Sequence, residues 1–171
     1  MDCAWPYLPL DLVYFTRNGF IFEAFKNCPG FNQIFVEEQT LISCDFVAHQ
    51  VALGNVEDLF LSDSFLSKKL DQTLREFVNS VRFRELEVPS LRNDFELVEL
   101  FLKRALAEEL TEGARISIKN ATFNKNELAL LYPECLPDAE EFVWLISGSN
   151  RVVAVSEPWP EERNAVRLTV L

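Results

Sequence analysis

The 171-residue chain is 49% hydrophobic and 25% charged, which excludes a disordered polypeptide and gives length enough to bury a core without disulfide or metal staples. Its 27 acidic against 16 basic side chains leave a net charge of −11, which excludes a broadly basic nucleic-acid-binding surface and confines phosphate contact to a local face. The 15 phenylalanines, against one methionine, point first to core filling and second to exposed rings for stacking or partner anchoring.

The N-terminal stretch MDCAWPYLPLDLVYF carries an acid at position 2 and no basic segment, so it is a poor secretory signal. Residues 5–26 are aromatic and apolar around the turn signal Asn18-Gly19, which predicts a hairpin; a short helix over residues 10–15 is the competing reading. After the Pro29-Gly30 break, residues 34–53 alternate loosely and are rich in β-branched and aromatic types, which predicts one long bent strand. Gly54-Asn55 turns it into a second strand at 56–64, antiparallel to the first.

An amphipathic helix follows over 65–81, with Leu66, Leu70, Leu74, Phe77, Val78 and Val81 at helical spacing. Residues 81–88 alternate strictly as a strand that Pro89 ends. A second helix spans 93–110, opened by Asn93 and Glu96 at capping-box spacing. The stretch EGARISIKNATFNKNELALL, residues 112–131, then predicts a strand, a polar break and a second strand. EFVWLIS and RVVAVSE form a further hairpin around Gly148-Ser149-Asn150, and AVRLTVL adds a last strand. No internal repeat and no low-complexity linker stand out.

Strands joined by short turns, with a helix before the fourth, suggest a mainly β fold with helices: a five-stranded Greek-key barrel with an extra helix and terminal strand extensions. The expected organisation is an apolar N-terminal extension packing on the barrel at 1–34, the barrel at 35–147, and a C-terminal strand extension at 148–171.

Catalytic signatures are sparse. Cys3, Cys28, Cys44 and Cys135 form no CxxC pair, and His49 is the one histidine, so a His-rich metal site is excluded. There is no GxGxxG, no P-loop and no HExxH, and no carboxylate pair stands out for acid–base work. The expectation is a non-enzymatic chain with no cofactor, no metal and no small-molecule substrate. No run approaches the roughly 20 apolar residues of a membrane helix, so no membrane contact is expected.

Binding remains. A barrel that holds a single strand needs a basic groove for the backbone and rings on which bases stack. Phe46, His49, Phe60 and Phe65 lie around the first predicted hairpin, with Lys68 and Lys69 beside them. Arg82 and Arg84 share one strand face and Phe83 takes the other. Arg115, Ser117 and Lys119 share a face opposite Ile116 and Ile118, with Phe123 and Lys125 in the turn beyond. The candidate nucleic-acid-binding set is thus Phe60, Lys68, Lys69, Arg82, Arg84, Arg115, Lys119, Phe123 and Lys125. The plain alternative is an ordinary polar outer face. Residues 113–126 hold Arg115, Lys119 and Lys125 with no acid, whereas residues 134–162 hold seven acids against Arg151. Within the acidic region, Asp138, Glu140 and Glu141 suit a basic protein partner instead.

The pattern Glu112-Gly113, a strand from Arg115 through Ala121, then Glu127-Leu128-Ala129-Leu130 resembles the end of an oligonucleotide/oligosaccharide-binding (OB) fold of the replication-protein-A type. Residues 41–64 look like its first two strands, with Leu61-Ser62-Asp63 at the usual strand end; the resemblance covers roughly residues 35–147. The apolar N-terminal segment is similar in kind to that of Stn-type telomere-capping subunits, a group that includes the divergent terminin proteins of flies. Two features depart from the pattern: the helix at 66–79 is extra, and strands stand where such subunits carry a long C-terminal helix. The resemblance implies a nuclear, chromosome-end role, with obligate protein partners and modest single-stranded DNA contact. Without a nuclear role, a cytoplasmic adaptor or inhibitor that binds protein alone is the alternative.

Overall fold

The computed structural model describes residues 13–15, 22, 24–25, 27–28, 30–37, 40–62, 68–89, 94–123, 127, 136–137, 142–145, 152–156 and 165–171. Three segments share one spacing of apolar residues: Phe31, Ile34, Val36; Val56, Leu59, Leu61; and Phe83, Leu86, Val88. In each, the last two apolar residues alternate with polar or aromatic neighbours, and that two-residue period makes a strand with one buried face. All nine are buried, between 0% and 3% exposed.

These segments contain β2 (Gln33–Val36), β3 (Asp58–Leu61) and β4 (Glu85–Val88), flanked by β1 (Val13–Phe15) and β5 (Arg115–Ile118). The five pair in parallel in chain order. Parallel neighbours need a long crossover, supplied by α1 (Leu41–Ala52), α2 (Lys68–Val78) and α3 (Asp94–Leu106). Neighbouring helices touch, α1 against α2 and α2 against α3, so all three cover the same face of the sheet. Four antiparallel strands complete it: β6 (Leu136–Pro137), β7 (Phe142–Leu145), β8 (Val152–Ser156) and β9 (Val166–Val170). Among the described residues the sheet has nine strands in the order β1-β2-β3-β4-β5-β9-β8-β7-β6.

The described chain is therefore a row of stacked strand–helix units followed by an antiparallel cap. This overturns the mainly β, five-stranded OB-type Greek-key barrel: the sheet is open and mixed, its first five strands parallel and joined through helices, and it ends on β1 and β6. It also overturns the absence of an internal repeat. The registered positions Gln33, Asp58, Glu85 and Arg115 recur at 25, 27 and 30 residues (33 to 58, 58 to 85, 85 to 115).

The predicted long strand at 34–53 breaks because residues 41–52 bury Ser43, Cys44, Phe46, Val47, Gln50 and Val51 at helical spacing. Thr40 Oγ1 accepts from the Ser43 amide at 3.2 Å, and Ser43 Oγ accepts from the Thr40 amide at 2.7 Å. This reciprocal cap opens α1. β2 and β3 consequently lie parallel rather than as a hairpin. The strand at 81–88 shortens to β4, and residues 81–84 form its entry. The helices near 65–81 and 93–110, β5, the β7–β8 hairpin and the last strand form as expected. Asn18-Gly19, Asn93 and residues 128–131 lie outside the described residues; Phe22, Ala24, Phe25 and Glu127 are helical.

Two apolar rows run across the sheet under the helices: Ile34, Leu59, Leu86, Ile116 and Leu168, then Val36, Leu61, Val88, Ile118 and Val166. Each fully buried aliphatic side chain contributes about 1.5–3 kcal/mol, so these rows and the helix residues against them dominate stability. Phenylalanines link the layers edge-on, Phe31 to Phe46 at 5.7 Å and Phe83 to Phe77 and Phe101 at 5.2 and 6.0 Å between ring centres.

The end of α3 carries local strain. Glu108 sits at φ 57, a left-handed conformation in which its Cβ crowds the following carbonyl. The turn persists because the Glu108 and Glu109 amides bond to the Ala105 and Arg104 carbonyls. Glu108 is exposed, so Glu108→Gly should stabilise the protein by about 0.5 kcal/mol, after the glycine's own entropic cost. A rise in urea midpoint with an unchanged slope checks it.

Candidate functional site: the open face of the sheet

With the helices on one side, the alternate strand residues point the other way. Register places them in two rows: Gln33, Asp58, Glu85, Arg115 and Thr169; then Phe35, Phe60, Glu87, Ser117 and Arg167. Neighbours in a row stand about 4.8 Å apart, close enough for side chains to meet across strands. Parallel sheets are commonly buried on both faces and then read as unbroken apolar runs. DLFL and ELEV do not, so the sequence itself writes a face for water or for a partner.

Ion pairs step from strand to strand. Arg84, just before β4, donates from Nε to Asp58 Oδ1 at 2.7 Å and from Nη2 to Oδ2. Its Nη1 lies 3.8 Å from Glu57, which Arg82 also approaches at 3.9 Å. Arg115 grips Glu85 with two bonds, Nε to Oε1 and Nη2 to Oε2, each 2.5 Å. Lys119 Nζ stands 3.0 Å from Glu87, and Arg167 Nε donates to Ser117 Oγ at 2.9 Å. The hydrogen bond to Asp58 raises the Arg84 pKa above the ordinary arginine value, against the opposing effect of burial. The bond to Glu85 does the same for Arg115. A raised base stabilises the fold fully at every pH below its unfolded value and loses that contribution only as pH climbs through the folded one. Both arginines therefore stay charged through neutral pH.

A shallow pocket of about 440 Å³ opens between these pairs, walled by Gln33, Phe60 and the Asp58–Arg84 and Glu85–Arg115 pairs. Gly113 closes one side at φ +81, a conformation that side-chain-bearing residues rarely adopt. Its amide bonds to the Val170 carbonyl at 2.8 Å and ties the pocket edge to the cap. Beside the pocket, Phe35 and Phe60 meet at 6.3 Å with ring planes 31° apart, both partly exposed.

The sequence-based set is thus partly gathered. Arg84, Arg115 and Phe60 line the pocket, Arg82 lies at Glu57 before β4 and Lys119 at Glu87 beyond the end of β5, and each cation carries a carboxylate from a neighbouring strand or strand entry. Lys69 is elsewhere, on α2, paired with Asp45 of α1 at 2.5 Å. Phe123 is buried edge-on against Phe95, with centres 5.5 Å apart. Phe46 is a core ring, and His49 is half-buried in α1. Lys68 belongs to α2, but its side chain is outside the described ones; Lys125, Phe65 and the acids Asp138, Glu140 and Glu141 also lie outside them. Sequence reasoning missed Phe35 and the acids Glu57, Asp58, Glu85 and Glu87. For Asp58 and Glu85 the signal was the recurrence of a polar residue immediately before the Ile34, Leu59 and Leu86 positions.

Among the described residues, no group of three or more His, Cys, Asp or Glu is arranged to hold a metal ion, and no helix is long and apolar enough to cross a membrane. No protein-family model matches the chain, and no curated protein or solved structure matches it either.

Proposed function

We propose that the chain is a non-catalytic protein-recognition module that engages its partner with the open face of the sheet. The observation that carries this reading is the face of the sheet that the described helices leave open, which sets the Phe35–Phe60 pair beside the ion-paired pocket. Stacked strand–helix units commonly use such extended faces for binding. Partly exposed aromatics flanked by arginine are the residue types that dominate interface energies. In quantitative affinity purification, the Phe35→Ser/Phe60→Ser variant should lose its specific partners at least tenfold. Leu53→Ser, at the end of α1, should keep them. Equal recovery by all three chains would sink the proposal.

A second reading, single-stranded DNA contact within a nuclear chromosome-end complex, draws on the run of cations Arg82, Arg84, Arg115 and Lys119 along β4 and β5. Phosphates would have to displace the carboxylates now bound to these cations. That predicts weak binding that falls steeply as salt rises and is abolished by Arg115→Glu/Lys119→Glu. Anisotropy titrations with a labelled oligonucleotide at two salt concentrations test it; tight, salt-independent binding contradicts it.

A further inference from the structure

Three arginine–carboxylate pairs on the open face are layered. The Asp58 side chain is 2% exposed and that of its partner Arg84 49%; Glu85 is 10% and Arg115 44%; Glu57 is 31% and Arg82 52%. In each pair the carboxylate lies inward and the guanidinium outward. A partner approaching this face meets cations first, although the whole chain carries −11.

From this layering we infer that the open face takes an acidic, apolar segment of a partner protein. Its carboxylates lie over Arg82, Arg84 and Arg115, and an adjacent apolar side chain rests on Phe60 and Phe35. The inference rests on the recognition role proposed above and adds the chemistry of the partner. A guanidinium has five N–H donors, and Arg115 uses two of them on Glu85. Its outward edge can therefore donate to a second carboxylate without breaking the first pair. A basic segment would need Asp58 and Glu85 at the surface, where they are not. A long polyanion gains little, because cations already neutralised by carboxylates release few counterions. It also feels the acidic remainder of the chain. A short segment feels chiefly the local layer, since charges beyond about 8 Å are screened at physiological salt.

The test is selection from a display library of random short peptides on the full-length chain, followed by titration of the selected peptides. The expected result is enrichment of Asp or Glu next to Phe, Leu or Trp. Arg82→Glu/Arg115→Glu should weaken the selected peptides at least tenfold, as should Phe60→Ala. Arg82→Glu alone removes only a 3.9 Å contact, so it folds normally and should still lower affinity severalfold. Basic or uncharged peptides that depend on Phe60 would overturn the acidic partner and leave the face as the binding site. Peptides indifferent to every one of these substitutions, or no selected peptides at all, would overturn the inference. A single-stranded oligonucleotide that competes more strongly than the acidic peptide would also overturn it, in favour of nucleic acid. The recognition role itself stands or falls separately, on the Phe35→Ser/Phe60→Ser purification.

Discussion

Arg104→Ala is expected to lower the unfolding free energy by about 3 kcal/mol, although Arg104 lies on the helical side of the sheet. Its guanidinium is 9% exposed. Nη1 donates to the Val78 carbonyl and to that of Ser80 at 2.9 Å, while Nε and Nη2 reach the Glu109 carboxylate and carbonyl at 3.1 and 3.4 Å. Val78 ends α2, where the last carbonyls have no partner within the helix and the dipole is negative. One side chain of α3 thus caps α2 and also fastens the turn leading to β5. Alanine would leave three carbonyls to find water in a site largely closed to it. Arg104→Lys should recover only part of the loss, since a single ammonium cannot reproduce the planar fork. Urea unfolding followed by circular dichroism measures both; an alanine variant within 1 kcal/mol of the parent (roughly one neutral hydrogen bond) would contradict this role.

Local order was legible where one pattern stood without a rival. α2 and α3 announced themselves through apolar residues at three- and four-residue spacing, and Ile116 and Ile118 through strict alternation opposite Arg115. Residues 34–53 misled because the alternation of β2 runs directly into α1. The cap that separates them, Thr40 with Ser43, lacks the Glu or Gln that usually marks a capping box. The direction of pairing was the larger loss. Gly54-Asn55 is a good turn signal, but it ends α1 rather than joining two strands, and parallel pairing across 25 to 30 residues leaves no local trace. The repeat did leave one: an apolar residue, two others, then two apolar residues flanking a single position. No position is the same in all three copies, although Phe31 matches Phe83, Leu59 matches Leu86 and Val36 matches Val88, so the spacing carried most of the signal. For the site, Arg84 and Arg115 of the expected set line the pocket and Phe83 packs against Phe77 and Phe101, while Lys69 lies among the helices. The sequence did not reveal that the acids of preceding strands would lie beneath the arginines, because that depends on which strands are neighbours.

The same layering makes the pair of Arg84 and Asp58 a sensitive point. Arg84→Met is expected to destabilise the protein by about 2–3 kcal/mol, since it leaves the buried carboxylate without its counter-ion. The figure stays at the lower end because half of the guanidinium faces water and the pocket beside it admits solvent. Asp58→Leu in the Arg84→Met background should restore most of the loss, because the desolvated charge is then gone rather than orphaned. A double-mutant cycle from urea midpoints separates the two effects; a double variant no more stable than Arg84→Met would mean that Asp58 is satisfied by something other than Arg84. The restored variant has a further use. It keeps the fold and the Phe35–Phe60 pair while removing one outward cation from the face, so its peptide affinity should fall although its stability does not. Stability and recognition draw on the same arginine but on different sides of it, the inward fork for Asp58 and the outward edge for the partner.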